Sequence, residues 1–316
     1  MVAAVETMMY AKQTPWHGEG VYVGDEDVLS AQAIEASGLD WTVSKRALFS
    51  PAANGWDVTQ IETHVSLVRD TDEAVLGVVG AKYEPLQNYE AFSIMDSLVQ
   101  DGDMRYHTAG SLRGGKRIWL LGKIGSHEVV AGDRVDQYML LWNTHDGSGA
   151  VRILPTEVRV VCANTAAVAL RNGRRTGLSV RHTKNMKARI QDANNALVKT
   201  REAFEDAKDF HQKLADVSFL YQWNDFVHEL VPDPAEGVNN TRAKNTREEL
   251  TGLFHSGVGN NIPGVVRTGW AAYNAVTEYN SFSRTVRGGG SRFEATLFGS
   301  GQAFYDRAVT LLHQAV

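Results

Sequence analysis

The sequence has a single cysteine, Cys162, among 316 residues. This excludes an intrachain disulfide and any zinc site built from several cysteines, and it fits a reducing compartment. There is also no run of about eighteen apolar residues, so no membrane-spanning helix is predicted. The first residues lack the basic and hydrophobic regions of a signal peptide. We therefore expect a cytoplasmic protein.

Several ligand-binding motifs are missing as well. The Gly114-Gly115 turn is flanked by Arg113, Lys116 and Arg117, but it lacks the Gly-Lys-Ser/Thr ending of a phosphate-binding Walker loop. No zinc finger, helix-turn-helix or RNA-recognition aromatic motif is present, so sequence-specific readout of nucleic acid is not indicated. We expect neither a nucleotide cofactor nor a bound metal.

Charge is distributed unevenly along the chain. Residues 1–150 hold 11 Lys and Arg against 21 Asp and Glu, whereas residues 151–190 hold nine basic residues and one acidic residue, Glu157. A local excess of one sign is typical of a surface that binds a polyanion. The alternative, which stays open, is that these cations pair with carboxylates of the acidic half.

The pattern of apolar residues predicts an α+β fold, with a central antiparallel β-hairpin sheet packed on a helix and a mostly helical C-terminal region. We assign residues 1–183 to an α+β core domain and residues 184–316 to the helical region. Alternating runs predict hairpins over 60–83 and 106–130. A helix is expected from Val158 to Leu170, and a long one from Lys184 to about Tyr221.

Two arrangements suggest chemistry, and both are weak. Cys162 could act as a nucleophile with His145, but it falls on the apolar face of the expected helix, where an unreactive thiol is the commoner case. A metal site from Asn143, His145 and Asp146 would need successive strand residues to converge, although these point to opposite faces. Asp146 is better interpreted as capping its own turn. We find no convincing catalytic group and do not expect an enzyme.

Binding of single-stranded nucleic acid needs cations along the phosphates and exposed aromatics for the bases. Trp119, Trp142 and Tyr138 could stack on bases, but core packing is the preferred interpretation of these rings. The predicted nucleic-acid contacts are basic residues of the segment 151–190, namely Arg152, Arg159, Arg174, Arg175, Arg181 and Lys184. The tip of the 106–130 hairpin is a second contact, through Arg113, Lys116 and Arg117.

Five blocks of sequence carry a family resemblance. They are Thr14-Pro-Trp-His-Gly18, Asn143-Thr-His-Asp-Gly147, Val158-Arg-Val-Val-Cys-Ala-Asn-Thr165, Arg181-His-Thr183 and Trp270-Ala-Ala-Tyr-Asn-Ala-Val-Thr-Glu-Tyr279. Together they resemble the phage/plasmid-like protein family, a domain of unknown function from phages and mobile elements. The resemblance places the protein in the cytoplasm of a bacterial host cell.

The residues from Tyr138 to Leu170 are predicted to form a strand-hairpin-strand-helix unit in the middle of the chain. In outline, this unit is similar to the core of phage single-strand annealing proteins of the Redβ, RecT and Erf type. That similarity implies a homo-oligomeric ring or filament that binds single-stranded DNA and promotes annealing without a nucleotide cofactor. Fold similarity alone does not establish function. The alternative is a phage interaction or inhibitor protein that engages a host partner through its acidic N-terminal half.

Overall fold

A computed structural model of the chain describes residues 5–11, 20–24, 28, 30–53, 57–100, 102, 104–159, 164–167, 177–191, 193–285 and 292–316. The chain divides into two compact units. Unit 1 holds residues 1–124, 139–154 and 177–198, and unit 2 holds residues 125–138, 155–176 and 199–316. The domain boundary expected after residue 183 stays a prediction, because compactness does not test independent folding.

The described elements alternate between strands and helices in the first two thirds of the chain and are helical afterwards. The strands are β1 (Val5–Tyr10), β2 (Val21–Tyr22), β3 (Val43–Pro51), β4 (Val58–Arg69), β5 (Val75–Gly80), β6 (Arg105–Leu112), β7 (Arg117–Val130), β8 (Asp133–Thr144), β9 (Val151–Arg159), β10 (Asn164–Ala167) and β11 (Leu178–Val180). The helices are α1 (Ser30–Ala36), α2 (Asn88–Gln100), α3 (Met186–Gln191), α4 (Ala193–Asp216), α5 (Trp223–Leu230), α6 (Thr241–Ser256), α7 (Gly269–Glu278), α8 (Arg292–Phe298) and α9 (Ser300–Gln314), with a short π-helix (Tyr279–Ser283) after α7.

The larger sheet has the order β10-β9-β8-β7-β6-β1-β2, and β11 also pairs with β9. β6 and β7 form an antiparallel hairpin that closes on the pair Leu112 and Arg117, as the alternating pattern predicts. Most pairings are antiparallel, while β1 and β2 run parallel. The α+β fold class with its antiparallel sheet and helical C-terminal region is confirmed.

Helix α2 supplies the main helical contact of the core in unit 1. Glu90 accepts a hydrogen bond from the backbone N–H of Gln87 at 3.0 Å, which is half of a capping box and fixes the start of the helix. Phe92 and Met95 follow at helical spacing and are fully buried with Ile118 of β7. Helix α2 is thus the helix on which the hairpin packs in this unit.

The smaller sheet has the order β3-β4-β5. One end of its β3–β4 hairpin extends beyond β5, with Phe49 opposite Gln60 and Pro51 opposite Val58. All described residues from 57 to 64 are exposed. We call residues 48–53 and 57–61 the ribbon.

Unit 2 is built around aromatic side chains of its helices. Trp223 of α5 stacks on Phe254 of α6 with ring centroids 4.2 Å apart. Trp270 of α7 is fully buried, and its indole N–H donates to Asp133 Oδ2 at 2.8 Å. None of the helices in the described part of the chain is long and apolar enough to cross a membrane.

The helix expected from Val158 to Leu170 is wrong for the residues that the structure describes, 158–159 and 164–167, which are in strands. β9 continues through Pro155 to Arg159, and Asn164–Ala167 pairs with it as β10. Pro155 is tolerated because it falls between the stretch of β9 that pairs with β11 and the stretch that pairs with β10, where its missing N–H breaks no ladder bond on that side. The β-branched residues that weakened the helical pattern favour the strand instead.

The long helix expected from Lys184 to Tyr221 is described as two helices, α3 and α4. α4 ends at Asp216, and the next turn of helix begins at Trp223. Helix α4 nevertheless buries apolar residues at helical spacing, because Phe204 and Ala207 are three residues apart and both are buried.

Candidate nucleic-acid interface and a buried histidine cluster

The cations of the β6–β7 tip differ in their exposure. Arg117 is buried, forms an ion pair with Asp146 at 3.1 Å and donates to Ser148 Oγ at 3.1 Å. Arg113 and Lys116 are half-buried. Arg117 therefore holds the neighbouring turn, and it is not available as a surface contact of the tip.

The basic residues of the central segment lie in several places. Arg152 of β9 is half-buried, while Arg181 and Lys184, just after β11, are exposed. Only the backbone of Arg159 is described, at the end of β9. Arg174 and Arg175 lie outside the described residues.

Lys184 lines an open groove of about 440 Å³ in unit 1, between the start of α2 and the segment that joins β11 to α3. The two segments are tied together: the Glu84 N–H donates to the His182 carbonyl at 3.2 Å, and the His182 ring stacks on Tyr83 at 4.4 Å. The groove is lined by Glu84, Pro85, Gln87, Tyr89, Glu90, Thr183, Lys184 and Met186.

The groove presents a lysine, two glutamates and an accessible ring. Glu84 pairs with Lys45 at 2.9 Å, and Glu90 is engaged by the N–H of Gln87. Lys184 has no carboxylate at ion-pair distance among the described residues. The side chain of Tyr89 is 56% exposed. A cation beside an exposed aromatic ring suits a phosphate and a stacked base.

The three aromatic residues considered for base stacking are in the core. Trp119, Trp142 and Tyr138 are all buried, and the Trp119 indole N–H donates to Thr108 Oγ1 at 3.2 Å. The core interpretation of these rings is confirmed. Tyr89, in the first turn of α2, faces solvent.

His145 is fully buried in unit 1 and does not face Asp146. Its Nε2 lies 3.1 Å from Asn88 Oδ1, and its ring packs edge-on against Trp41 at 5.3 Å. Burial lowers the pKa of His145 to about 3, so the ring is neutral at physiological pH. Asn88 thereby holds one ring nitrogen, and the imidazole is a core residue.

The turn after His145 has the geometry that the sequence predicts. Asp146 accepts a hydrogen bond from the Ser148 N–H at 3.0 Å, while its other oxygen faces Arg117. Asn143 Nδ2 lies 3.4 Å from His145 Nε2, whereas Asp146 is engaged by Ser148 and Arg117. Cys162 lies outside the described residues, as does its proposed pairing with His145.

A second cluster, which the sequence patterns did not indicate, lies in unit 2. It consists of His127 on β7, Glu157 on β9 and His211 on α4, with one potential ligand atom from each lying within 4.8 Å of the others. His211 Nδ1 lies 3.4 Å from His127 Nε2, and its Nε2 lies 3.6 Å from Glu157 Oε2. We call these three residues the His-Glu-His cluster.

Neighbouring side chains surround the cluster. The amide Nε2 of Gln137, on β8 between β7 and β9, lies 3.3 Å from His127 Nδ1 and 3.5 Å from Glu157 Oε1. The His211 ring packs against Trp270 and Tyr273 at 4.6 and 5.1 Å. The Tyr273 hydroxyl is hydrogen-bonded to that of Tyr305 at 2.7 Å.

Among the described residues, the ionisable groups of the cluster have no permanently charged partner of opposite sign. Burial raises the pKa of Glu157 to about 8 and lowers that of His211 well below its ordinary value. Glu157 was counted as the one acidic residue of the basic segment. Its carboxyl group points into unit 2 and does not neutralise the arginines of that segment at the surface.

One feature of the sequence could have drawn attention to this cluster. Glu157 is the one acidic residue of the basic segment 151–190. His127 and His211 are far apart along the chain, so no ligand spacing marks them. Only the strand order β9-β8-β7 and the position of α4 bring the three residues together.

Comparison with known proteins gives one match. Neither a curated protein nor a solved structure matches the chain. Residues 75–297 match a protein family described as a domain of unknown function, DUF932. This region holds α2, the β6–β9 strands, the groove and the His-Glu-His cluster. The match covers well over half of the chain, so the protein belongs to the DUF932 family.

Proposed function

We propose that the protein binds single-stranded nucleic acid and promotes strand annealing as a homo-oligomer, without a nucleotide cofactor, in the cytoplasm of a bacterial host. One observation carries the proposal: the groove in which the exposed Tyr89 ring lies near Lys184. A base would stack on Tyr89 while Lys184 contacts the adjacent phosphate. Stacking on an aromatic side chain contributes about 1–3 kcal/mol per base and tolerates any sequence.

The charge around the groove supports a polyanion as its ligand. Glu84 of the groove is neutralised by Lys45, whereas Glu90 accepts a backbone N–H and keeps its negative charge, so the attraction for a phosphate comes from the cations of the neighbouring segment. Arg181 and Arg189 are exposed in the same segment as Lys184. Burial of Glu157 leaves the basic segment without its own acidic residue at the surface.

Anisotropy titration of a labelled single-stranded oligonucleotide tests the proposal. Tyr89→Ala is expected to weaken binding by about 1–3 kcal/mol. Lys184→Ala is expected to reduce the slope of log affinity against log salt by about 0.7, the value for one phosphate contact on a single strand. Arg174→Ala/Arg175→Ala tests the remainder of the basic segment.

Lys208→Ala is the matched control for the titration, because Lys208 is an exposed lysine of unit 2 beside Glu205. It should bind as the wild type does. If Tyr89→Ala and Lys184→Ala also retain wild-type affinity and salt dependence, the groove is not the binding site.

The ribbon supports the oligomeric part of the proposal. Phe49 and Val58, which lie on one face, are 56% and 64% exposed. Exposed apolar residues on a sheet edge favour association with another protein surface. We assign this face to contact between copies.

The ribbon also favours a second candidate, the protein-interaction function of the acidic N-terminal half. In that case the apolar face would bind a host protein, and the chain would be monomeric when purified. Co-purification of one stoichiometric protein partner, lost in Phe49→Ser/Val58→Ser, together with no affinity for oligonucleotides, favours this candidate over annealing.

A further inference from the structure

We propose that His127, Glu157 and His211 form a binding site for one divalent transition-metal ion, such as zinc or ferrous iron. The residue types are those of known sites, since two imidazoles and one carboxylate bind zinc in hydrolytic enzymes and iron in oxygenases. Neither the family assignment nor the proposed function requires this site. The inference is therefore independent of nucleic-acid binding.

The geometry is close to that of a ligand set. Ligand atoms around a tetrahedral zinc ion lie about 3.4 Å apart when each bond is about 2.0–2.1 Å long. One atom from each of the three residues lies within 4.8 Å of the other two. His211 approaches His127 with Nδ1 at 3.4 Å and Glu157 with Nε2 at 3.6 Å, so one of its two nitrogens binds the ion and the side chains close on it from at most 4.8 Å apart.

The elements that carry the ligands hold them in place. His127 and Glu157 project from β7 and β9 of one sheet, with β8 between them, and His211 projects from the 24-residue helix α4. The rings of Trp270 and Tyr273 pack against His211. A site on strands and a packed helix needs little ordering when an ion binds.

Gln137 occupies the position of an orienting group for either ligand, because its amide nitrogen donates to Glu157 and its amide oxygen can accept from His127 Nδ1–H. Its amide lies near both His127 Nδ1 and Glu157 Oε1. The oxygen and nitrogen of an amide exchange places on rotation, so this side chain can accept a hydrogen bond from His127 Nδ1–H when Nε2 binds an ion. Such contacts fix the tautomer of a metal-bound histidine and raise metal affinity.

The buried carboxyl group of Glu157 gives an independent reason for an ion. No Lys or Arg lies at ion-pair distance from it in the described part of the chain, and the His211 ring beside it is kept neutral by burial, which lowers the pKa of that ring. Buried carboxyl groups usually pair with a cation or coordinate a metal. With three protein ligands, a tetrahedral ion keeps a fourth position for water or another small molecule.

The test uses the full chain without a histidine tag, stripped of metal with a chelator. Cobalt(II) is added in steps and its visible absorption recorded, and zinc is then added in competition. We expect saturation at one equivalent per chain. Glu157→Gln and His127→Gln should each weaken cobalt binding at least tenfold, whereas His255→Gln, which removes an exposed histidine of α6, should bind as the wild type does.

Each outcome decides the question. Circular dichroism of the stripped proteins shows whether Glu157→Gln folds, and if it does not, His127→Gln provides the comparison, because His127 is only half-buried. No saturable uptake by the wild type overturns the proposal. Uptake that is equal in the wild type and in a folded ligand variant overturns it as well, and the cluster is then a hydrogen-bonded core.

Discussion

At the scale of single residues, the positions that looked most chemical in the sequence are structural. His145 is buried against Asn88 and Trp41, and Arg117 is ion-paired with Asp146. The residues with accessible or clustered functional groups are others. Tyr89 and Lys184 line a groove, and Glu157 meets two histidines.

Burial of His145 gives the protein a specific response to acid. Its pKa is about 3 in the folded protein and about 6.5 in an unfolded chain. Between these values the unfolded state binds a proton that the folded state does not, so stability present above pH 6.5 is lost as the pH falls towards 3. Between pH 7 and pH 5 this one group should remove about 2 kcal/mol.

The measurement is the free energy of unfolding in urea at pH 7 and pH 5. His145→Gln should be less stable than the wild type at pH 7 but lose about 2 kcal/mol less on acidification. His64→Gln changes an exposed histidine and should keep the wild-type difference. An unchanged pH dependence in His145→Gln would show that this ring does not titrate on unfolding.

Two glycines of β5 differ in the space around them. A Cβ on Gly77 would lie 2.6 Å from Asp146 Cα, whereas a Cβ on Gly80 meets nothing within 4 Å. Gly77→Ala should therefore displace the Asp146 turn and destabilise the protein by about 1–3 kcal/mol. Gly80→Ala in the same strand should change stability by less than about 0.5 kcal/mol. Equal unfolding midpoints for the two variants would contradict this close approach.

At the scale of elements, the ribbon supplies the sharpest prediction. Phe49→Ser/Val58→Ser should convert an oligomer to smaller species without loss of secondary structure, because both side chains are exposed in the single chain. Light scattering gives the mass and circular dichroism gives the helix and strand content. Thr59→Ala, opposite Ser50 on the other face of the ribbon, should leave the mass unchanged. An unaltered mass in the double variant would exclude this face as the interface.

Local patterns predicted those elements whose residues satisfy a local rule. The β6–β7 hairpin follows from alternation around Gly114 and Gly115. The segment after Leu154 was assigned wrongly, because apolar residues spaced for a helix also satisfy a strand that has partners. β8 lies on one side of β9, and β10, which pairs with residues 156–159 on the other side, comes later in the chain.

The candidate sites depended on contacts between distant segments, and so only their charge was predictable. The basic segment indicated a polyanion surface, and Arg181 and Lys184 are exposed as that requires. The Tyr89 ring and Lys184 line one groove because the backbone hydrogen bond between Glu84 and His182 connects their two segments. The His-Glu-His cluster combines two strands and a helix, which a one-dimensional pattern cannot specify.

At the scale of the whole molecule, an annealing function requires assembly as well as binding. We expect the light-scattering mass to correspond to several copies and to increase when single-stranded DNA is added. A complementary strand labelled with a quencher should then anneal faster than in the absence of protein. A monomer with and without DNA, together with an unchanged annealing rate, would reject this part of the proposal.

Salt dependence of single-strand binding tests the central claim most directly. Anisotropy of a labelled single strand is measured between about 50 and 200 mM salt, and the slope of log affinity is about −0.7 for each phosphate contact. We predict tight binding at low salt, a slope corresponding to several contacts, and a reduction of that slope by about 0.7 in Lys184→Ala. An absence of binding at low salt, or an affinity that does not depend on salt, would contradict the claim.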